Sequence, residues 1–483
     1  MKKFFLLLSI LALSGCLREE SETLPTAQTT QVTTPVRPVS EALAELNAML
    51  QEVHAATRTA KQTYDVSDVV AIGGAAATRS SDTPALPDTL VYVVNFDGDN
   101  GFAVLGAHRA LAPVFAITEN GNLDPRTLER KIGQAYDCFV SGQAAESVTR
   151  ADDSEYTDHD ASYPPIVPEL LGRSIAAYSL DISDWGNTPK PTFPNDFKLV
   201  KTNYGDWEAK KKVGPLVETK WGQSEPFNMS CPTHPFYLQK KCAVGCVMVA
   251  IGQIMASNQR PTRAPAGNNI SYGWAGLKSI SNYTNVHLYY NYSEEKAELE
   301  QDYTTRTNCK YLAKFLAYLG SKECCNANYG IETGAKDADA QRTMRVLDPA
   351  FYEKATVQVL SEESLSIAYD MLDNKKPIYA GGFEHETYPY EGHAWVIDGY
   401  MERERLRLET YENSAGDQRI EFKTETGKLL HCNWGWCGSC DGYFIENVFD
   451  LGNRISTDNI IDENIEDEVL TINYKFYNTI ITY

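Results

Sequence analysis

One cysteine and one histidine stand in settings that suit nucleophilic chemistry. Cys246 follows Gly245 and heads an apolar run that continues to Met255. His393 opens the run Ala394-Trp395-Val396-Ile397, which reads as a strand. A thiol at a helix N-terminus meets partial positive charge and unpaired N–H groups, which favour thiolate over thiol. A histidine on a rigid strand can be held at hydrogen-bond distance from that sulfur. Two further residues complete the order Gln, Cys, His, Asn: Gln223 in Trp221-Gly222-Gln223-Ser224 and Asn433 in Asn433-Trp434-Gly435-Trp436. In this arrangement the Cys246 thiolate attacks a peptide carbonyl. His393 holds the ion pair and later protonates the leaving amine, while Asn433 orients the imidazole. Gln223 and the Cys246 backbone N–H stabilise the oxyanion. Trp434 and Trp436 shield the His–Asn pair from water.

Each residue also has a plainer reading. A lone cysteine on an apolar helix is ordinarily a core residue, and an asparagine before Trp-Gly is ordinarily a turn cap. The joint occurrence of all four in these contexts favours the catalytic reading. His54, His108, His159, His234, His287, His385 and His431 lack such a context and are read as structural or surface residues. The motif Cys437-Gly438-Ser439-Cys440 resembles a redox Cys-x-x-Cys, but that chemistry needs a helix starting at the first cysteine. Here Asp441-Gly442-Tyr443-Phe444 follows, a turn and a strand, so the pair reads as a local disulfide or two free thiols. No second ligand pair lies at zinc spacing, and no metal or cofactor is expected.

The elements that must position these groups follow from periodicity. Residues 40–60 repeat Leu43, Leu46, Leu50 and Val53 at helical spacing behind the N-cap Ser40. Residues 90–96 and 102–105 form a hairpin around Asp97-Gly98-Asp99-Asn100-Gly101, and a second helix covers 125–141. Residues 146–163 are polar and aperiodic, as expected of an exposed linker. Helical patterns recur at 298–319, 340–347 and 361–372, and short strands with Gly-rich turns are expected from Pro377 onward. Helices first and strands later is an α+β order. Lys210-Lys211-Lys212 reads as a solvated turn.

The 483 residues exceed one typical core, and 43% hydrophobic with 23% charged residues is a globular composition. A net charge of −21 argues against a nucleic-acid partner. Lys2 and Lys3, the apolar run 4–13 and Leu13-Ser14-Gly15-Cys16 resemble a bacterial lipoprotein signal, with Cys16 as the lipidated residue. Glu19, Glu20 and Glu22 beyond it resemble a surface-export signal. Setting aside Cys16 and Cys246, nine of the 11 cysteines remain, an odd number that leaves at least one unpaired within the chain.

Gly245-Cys246, Gly392-His393-Ala394-Trp395-Val396-Ile397-Asp398-Gly399 and Asn433-Trp434-Gly435-Trp436, followed by Asp441-Gly442-Tyr443-Phe444, resemble the streptopain family of papain-like cysteine peptidases. Gln223 stands where that family places its oxyanion glutamine. The chain departs from the family after Trp436, where Cys437-Gly438 replaces Gly-Gly. The segment Asn328-Tyr329-Gly330-Ile331-Glu332-Thr333-Gly334-Ala335 resembles the wall of the family's specificity pocket, so Gly334 and Gly392 join the expected pocket residues.

The resemblance implies an α+β fold, a papain-like peptidase domain preceded by an α+β pro-domain. The expected division is a signal at 1–16, a tether at 17–39, an inhibitory pro-domain at 40–150, an activation region at 151–200 and the peptidase at 201–483. It implies a secreted zymogen, an endopeptidase with a hydrophobic preference two positions before the scissile bond. Expected partners are protein substrates, the chain's own pro-domain as inhibitor and a membrane reached through the N-terminal lipid. The expected location is the bacterial envelope, on the outer membrane or released after a cut between about Arg150 and Lys212. The competing readings are a silent binding lipoprotein of the same fold and a thiol–disulfide oxidoreductase using Cys437 and Cys440.

Overall fold

The structure, a computed structural model, describes residues 36–54, 64–73, 89–109, 111–141, 167–168, 171–172, 174–176, 197–236, 240–280, 303–330, 333–383, 392–446 and 479–483. The lipidation signal with Cys16 and the sequence-predicted linker at 146–163 lie outside them. The fold mixes helix and sheet, in agreement with the expected α+β class.

In the N-terminal unit, helix α1 (Val39–His54) and strand β1 (Val66–Ile72) precede the hairpin β2 (Val91–Phe96) and β3 (Phe102–Gly106). Strand β4 (Val114–Thr118) and helix α2 (Pro125–Ser141) follow. The hairpin's period of two sends its residues to opposite faces. Val91 and Val93 pack with Leu128 and Ile132 of α2, while Tyr92, Val94 and Phe96 pack with Leu46, Met49 and Leu50 of α1.

Strands β5 (Lys198–Tyr204) and β6 (Glu208–Val213) come before the central helix α3 (Cys246–Asn258). A small hairpin, β7 (Ala264–Pro265) and β8 (Ser271–Tyr272), leads to α4 (Trp274–Lys278), α5 (Tyr303–Leu319), α6 (Asp337–Leu347) and α7 (Pro349–Tyr352). Then come β9 (Thr356–Val359), α8 (Glu362–Asp373) and β10 (Ile378–Phe383). Ser361 caps α8 in a reciprocal box with Ser364, which explains where that helix begins. The chain closes with β11 (Gly392–Glu412), β12 (Gln418–Asn433), β13 (Gly442–Ile445) and β14 (Thr479–Thr482).

Among the described residues twelve strands form one antiparallel sheet: ten run in the order β1-β2-β3-β4-β13-β12-β11-β10-β14-β9, and β5 and β6 pair with β11 off that path. One edge of β11 pairs with β12; the other is taken in turn by β10, β6 and β5. The N-terminal unit therefore joins the C-terminal sheet through β4 and β13, where Ile117 faces Tyr443. Helix α3 is apolar all round, and every residue from Val247 to Ala256 is buried. A helix of that kind belongs inside a core. It lies against β10 and β11 on one side and α5 and α6 on the other.

Two expectations are corrected. The C-terminal strands are not all short: β11 and β12 run 21 and 16 residues. Lys210, Lys211 and Lys212 form no turn but lie in β6, with Lys211 Nζ 2.7 Å from Asp373 and Lys212 Nζ donating to the Val53 carbonyl at 2.6 Å. A run of three lysines hides the alternation that marks a strand, because the pairing comes from β11 and the charges are matched by distant residues.

Candidate active site

Cys246 is the first residue of α3, and the preceding Gly245 has φ 93°. A side chain there would be strained, and its Cβ would sit 2.4 Å from the Met248 methyl. Glycine thus permits the sharp entry that puts the sulfur at the helix start. The N–H groups of Ala394, Val247 and Cys246 itself face that sulfur. Burial outweighs them and raises the thiol pKa. Ala394 follows His393 on β11, so nucleophile and histidine segment meet.

His393 Nε2 lies 2.8 Å from the Trp434 carbonyl. A carbonyl oxygen only accepts, so this contact places the proton on Nε2. Trp436 Nε1, 3.2 Å from the same nitrogen, is a competing donor that bonds it only in the other tautomer. With Nε2 anchored, Nδ1 is the nitrogen left to accept a proton. The Trp434 and Trp395 rings stack near the imidazole, and Trp434 is fully buried. Burial pulls His393 down to about 4, so the ring is neutral near pH 7. Neither hydrogen-bonding partner of His393 is Cys246, and the two groups rest as a neutral thiol and a neutral imidazole.

Asn433 makes no hydrogen bond to the imidazole, contrary to the role expected of it. Its Oδ1 accepts from Gln253 Nε2 at 2.9 Å and Gly435 N at 3.1 Å, and its Nδ2 donates to the Thr219 carbonyl at 2.9 Å. The amide is consumed by backbone and helix partners. The next residue's carbonyl performs the orienting contact instead.

The Gln223 carbonyl accepts from Val244 N at 2.9 Å, which fastens the expected oxyanion loop to the approach of Cys246. Cys437 N donates to the Trp221 carbonyl, and its sulfur lies over Gly222, where a Cβ would come within 2.4 Å of it. Gly334 pairs with Asn328 across a short loop. The neighbouring Thr333 borders Gly245, which brings that loop beside the nucleophile. Gly392 is exposed at the start of β11. Trp436 is partly buried against the core.

Cys437 and Cys440 lie in the turn between β12 and β13, both at positive φ, and Cys437 is a free thiol. No helix begins there, and burial pushes Cys437 up to about 12, the opposite of a redox thiolate. Among the described residues no group of three or more His, Cys, Asp or Glu side chains is placed to hold a metal ion. No helix among them is long and apolar enough to cross a membrane.

Sequence reasoning assigned His431 no special role. It is buried on β12, with Nδ1 2.6 Å from Asp398 and Nε2 3.5 Å from Glu119 of the N-terminal unit. Glu119 also binds Lys220 at 3.1 Å. Beside them the Glu119 and Asn120 backbones bond Asp441 and Cys440, and Asp441 Oδ1 accepts from Trp434 N at 2.9 Å. The N-terminal unit thereby grips the same turn that holds His393. The appearance of Asp398 beside the histidine motif was the available sequence signal for a buried charge partner.

These features, a cysteine heading a buried helix and a histidine on the facing sheet, define a cysteine-peptidase type of site. The model described as the Peptidase C10 family matches residues 221–444, which hold Cys246, His393, Asn433 and Gln223. Residues 221–444 are thus similar to the streptopain-like cysteine peptidases. Thiol protease/hemagglutinin PrtT of Porphyromonas gingivalis is 24% identical over 256 residues, 50% of this chain and 25% of that protein. Streptopain of Streptococcus pyogenes is 23% identical over 312 residues, 57% of this chain and 68% of streptopain. The chain thus spans a quarter of the length of PrtT. A solved fragment of Prevotella intermedia prointerpain A covers 86% of this chain and 98% of its own, with 18% identity and a TM-score of 0.43.

Proposed function

We propose that the chain is a cysteine endopeptidase made as a zymogen, lipid-anchored through Cys16 and inhibited by its own residues 40–150. The observation that carries this reading is the placement of Cys246 at the α3 N-terminus against the His393–Ala394 backbone, with Nε2 anchored by Trp434. In the reaction, His393 Nδ1 takes the Cys246 proton and the thiolate attacks the substrate carbonyl. The oxyanion receives hydrogen bonds from the Cys246 N–H and the Gln223 amide. The imidazolium gives its proton to the leaving amine, and a water deprotonated by the same imidazole hydrolyses the thioester. Protein substrates with a hydrophobic residue two positions before the scissile bond follow from the family resemblance.

The neutral, unpaired state of Cys246 and His393 is the latent form in this reading. Release of the N-terminal unit frees the Trp434–Asp441 turn and lets the thiol and Nδ1 close. The cut is placed upstream of Lys198 in this reading, because Lys198, Lys201, Lys210, Lys211 and Lys212 lie in β5 and β6. Casein degradation after limited trypsin treatment, with the trypsin then blocked, tests the function. Inhibitor-sensitive activity that Cys246→Ala lacks supports it. Absence of activity in the processed, reduced wild type would move the assignment to a silent binding protein of the same fold.

A further inference from the structure

Gln253 sits two turns along α3 from Cys246 and is completely buried. A buried amide on an apolar helix is costly unless its hydrogen bonds are made. Here they all go to site segments. Its Oε1 accepts from Trp221 N at 3.2 Å and Thr219 Oγ1 at 3.1 Å, and its Nε2 donates to Asn433 Oδ1 at 2.9 Å. Asn433 Nδ2 closes the ring on the Thr219 carbonyl.

The orientation of this ring is fixed by groups with only one possible role. Trp221 N–H can only donate, so the Gln253 atom facing it is oxygen and the other is the NH2 group. Gly435 N–H can only donate, so the Asn433 atom it meets is oxygen. The two assignments agree, and flipping either amide would set donor against donor and acceptor against acceptor.

We propose that Gln253 is a positioning residue that locks the nucleophile helix to the histidine anchor and to the oxyanion loop. One arm runs through Asn433 to the adjacent Trp434 carbonyl, which holds His393. The other runs through Trp221 to Gln223, two residues on. The proposal rests on the peptidase reading and supplies a role for Asn433 that does not involve touching the imidazole. Errors of about 1 Å in such an alignment cost on the order of 100-fold in rate.

The test uses the full chain, processed as above, with Gln253→Glu and Gln253→Leu. The first is isosteric: protonated, it keeps both arms by donating to Asn433 Oδ1, and ionised it sets oxygen against that atom, so its defect should grow as pH rises. The second deletes both arms. Active sites are titrated with an irreversible thiol inhibitor, so misfolded molecules do not count. The expected result is a fall in kcat per titrated site of roughly 30- to 100-fold with KM within about threefold of wild type. The rate of Cys246 alkylation by iodoacetamide against pH should also shift its midpoint upward in both variants. Alkylation needs no peptidase activity. A wild type that cuts no protein overturns the peptidase reading, while the alkylation profile still decides Gln253. An unchanged alkylation profile or unchanged kcat per titrated site in Gln253→Leu overturns the positioning role. If Gln253→Leu does not fold, Gln253→Met, which also lacks both arms, decides in its place.

Discussion

Glu119 joins the N-terminal unit to the C-terminal unit through a charged contact with Lys220 and His431, and Glu119→Gln should loosen that junction selectively. The carboxylate lies 3.1 Å from Lys220 and 3.5 Å from His431, which is itself bound to Asp398. Burial alone would raise the Glu119 pKa, but the hydrogen bond and charge of His431, with Lys220, pull it down to about 2. Burial opposes the His431 charge, yet Asp398 and Glu119 raise its pKa to about 10.

Removing one partner of a fully buried pair costs about 3–5 kcal/mol, whereas an exposed pair contributes about 0–1 kcal/mol. The Glu119 side chain is 27% exposed, so a loss of about 2 kcal/mol, between these limits, is expected. That corresponds to roughly 30-fold more frequent opening of the β4–β13 contact. The assay is amide hydrogen exchange on the full chain carrying Cys246→Ala, which cannot process itself. Exchange should accelerate at 116–119 and 442–444 and stay constant in α3 and α5. Unchanged exchange at 116–119, or equal acceleration throughout, would refute the reasoning.

The pH dependence has a definite sign. The Glu119 contribution is present above its ordinary 4.5 and is lost as pH falls toward about 2. The His431 contribution is full below 6.5 and is lost as pH rises through about 10. Burial raises Asp441 to about 7, so its ionisation costs docking stability as pH climbs from 3.8 to that value. The junction should therefore hold best near pH 3.8–4.5 and weaken above it, first through Asp441 and then through His431, and exchange protection increasing steadily from pH 7 to 10 would contradict this.

Three further outcomes are expected. Gly245→Ala places a Cβ against Met248 at positive φ, and should lower the melting temperature and cut Cys246 alkylation at least tenfold. A variant with native melting and reactivity would show that the helix entry tolerates a side chain. His393, half-buried and anchored by Trp434, should remain neutral in the Cys246→Ala chain until pH approaches about 4; an imidazole C–H resonance titrating at 6.5 or above would rule that environment out. Limited trypsin treatment should spare Lys210, Lys211 and Lys212, which β6 holds against β11, and a dominant early fragment beginning at Lys211, Lys212 or Val213 by mass spectrometry would contradict that placement.

Much of the site was legible from residue order alone. An apolar run behind Gly-Cys dictates a buried helix with the thiol at its positive end, and Gly-His-Ala-Trp-Val-Ile dictates a buried strand. Those readings depend on neighbours in sequence, through period and capping, and the elements found match them. The hairpin at β2 and β3 and the helix α2 were legible for the same reason. Where partners came from afar, local pattern was silent or misleading. Lys210–Lys212 gave no alternation because β11 supplies the pairing and Asp373 and α1 receive the charges. His431 showed nothing locally of its bond to Asp398, 33 positions away.

Asn433 shows the division most clearly. Its sequence marked it as the residue beside the histidine. Which atoms its amide meets was decided only when α3 delivered Gln253 and the 219–221 segment delivered a carbonyl. An amide buried in a core must satisfy donors and acceptors within about 3 Å, and tertiary packing alone determines which ones are there. Sequence thus determined the kinds of group at the site and the elements that carry them. The fold decided that a backbone carbonyl orients His393, and that the N-terminal unit reaches the same turn through Glu119.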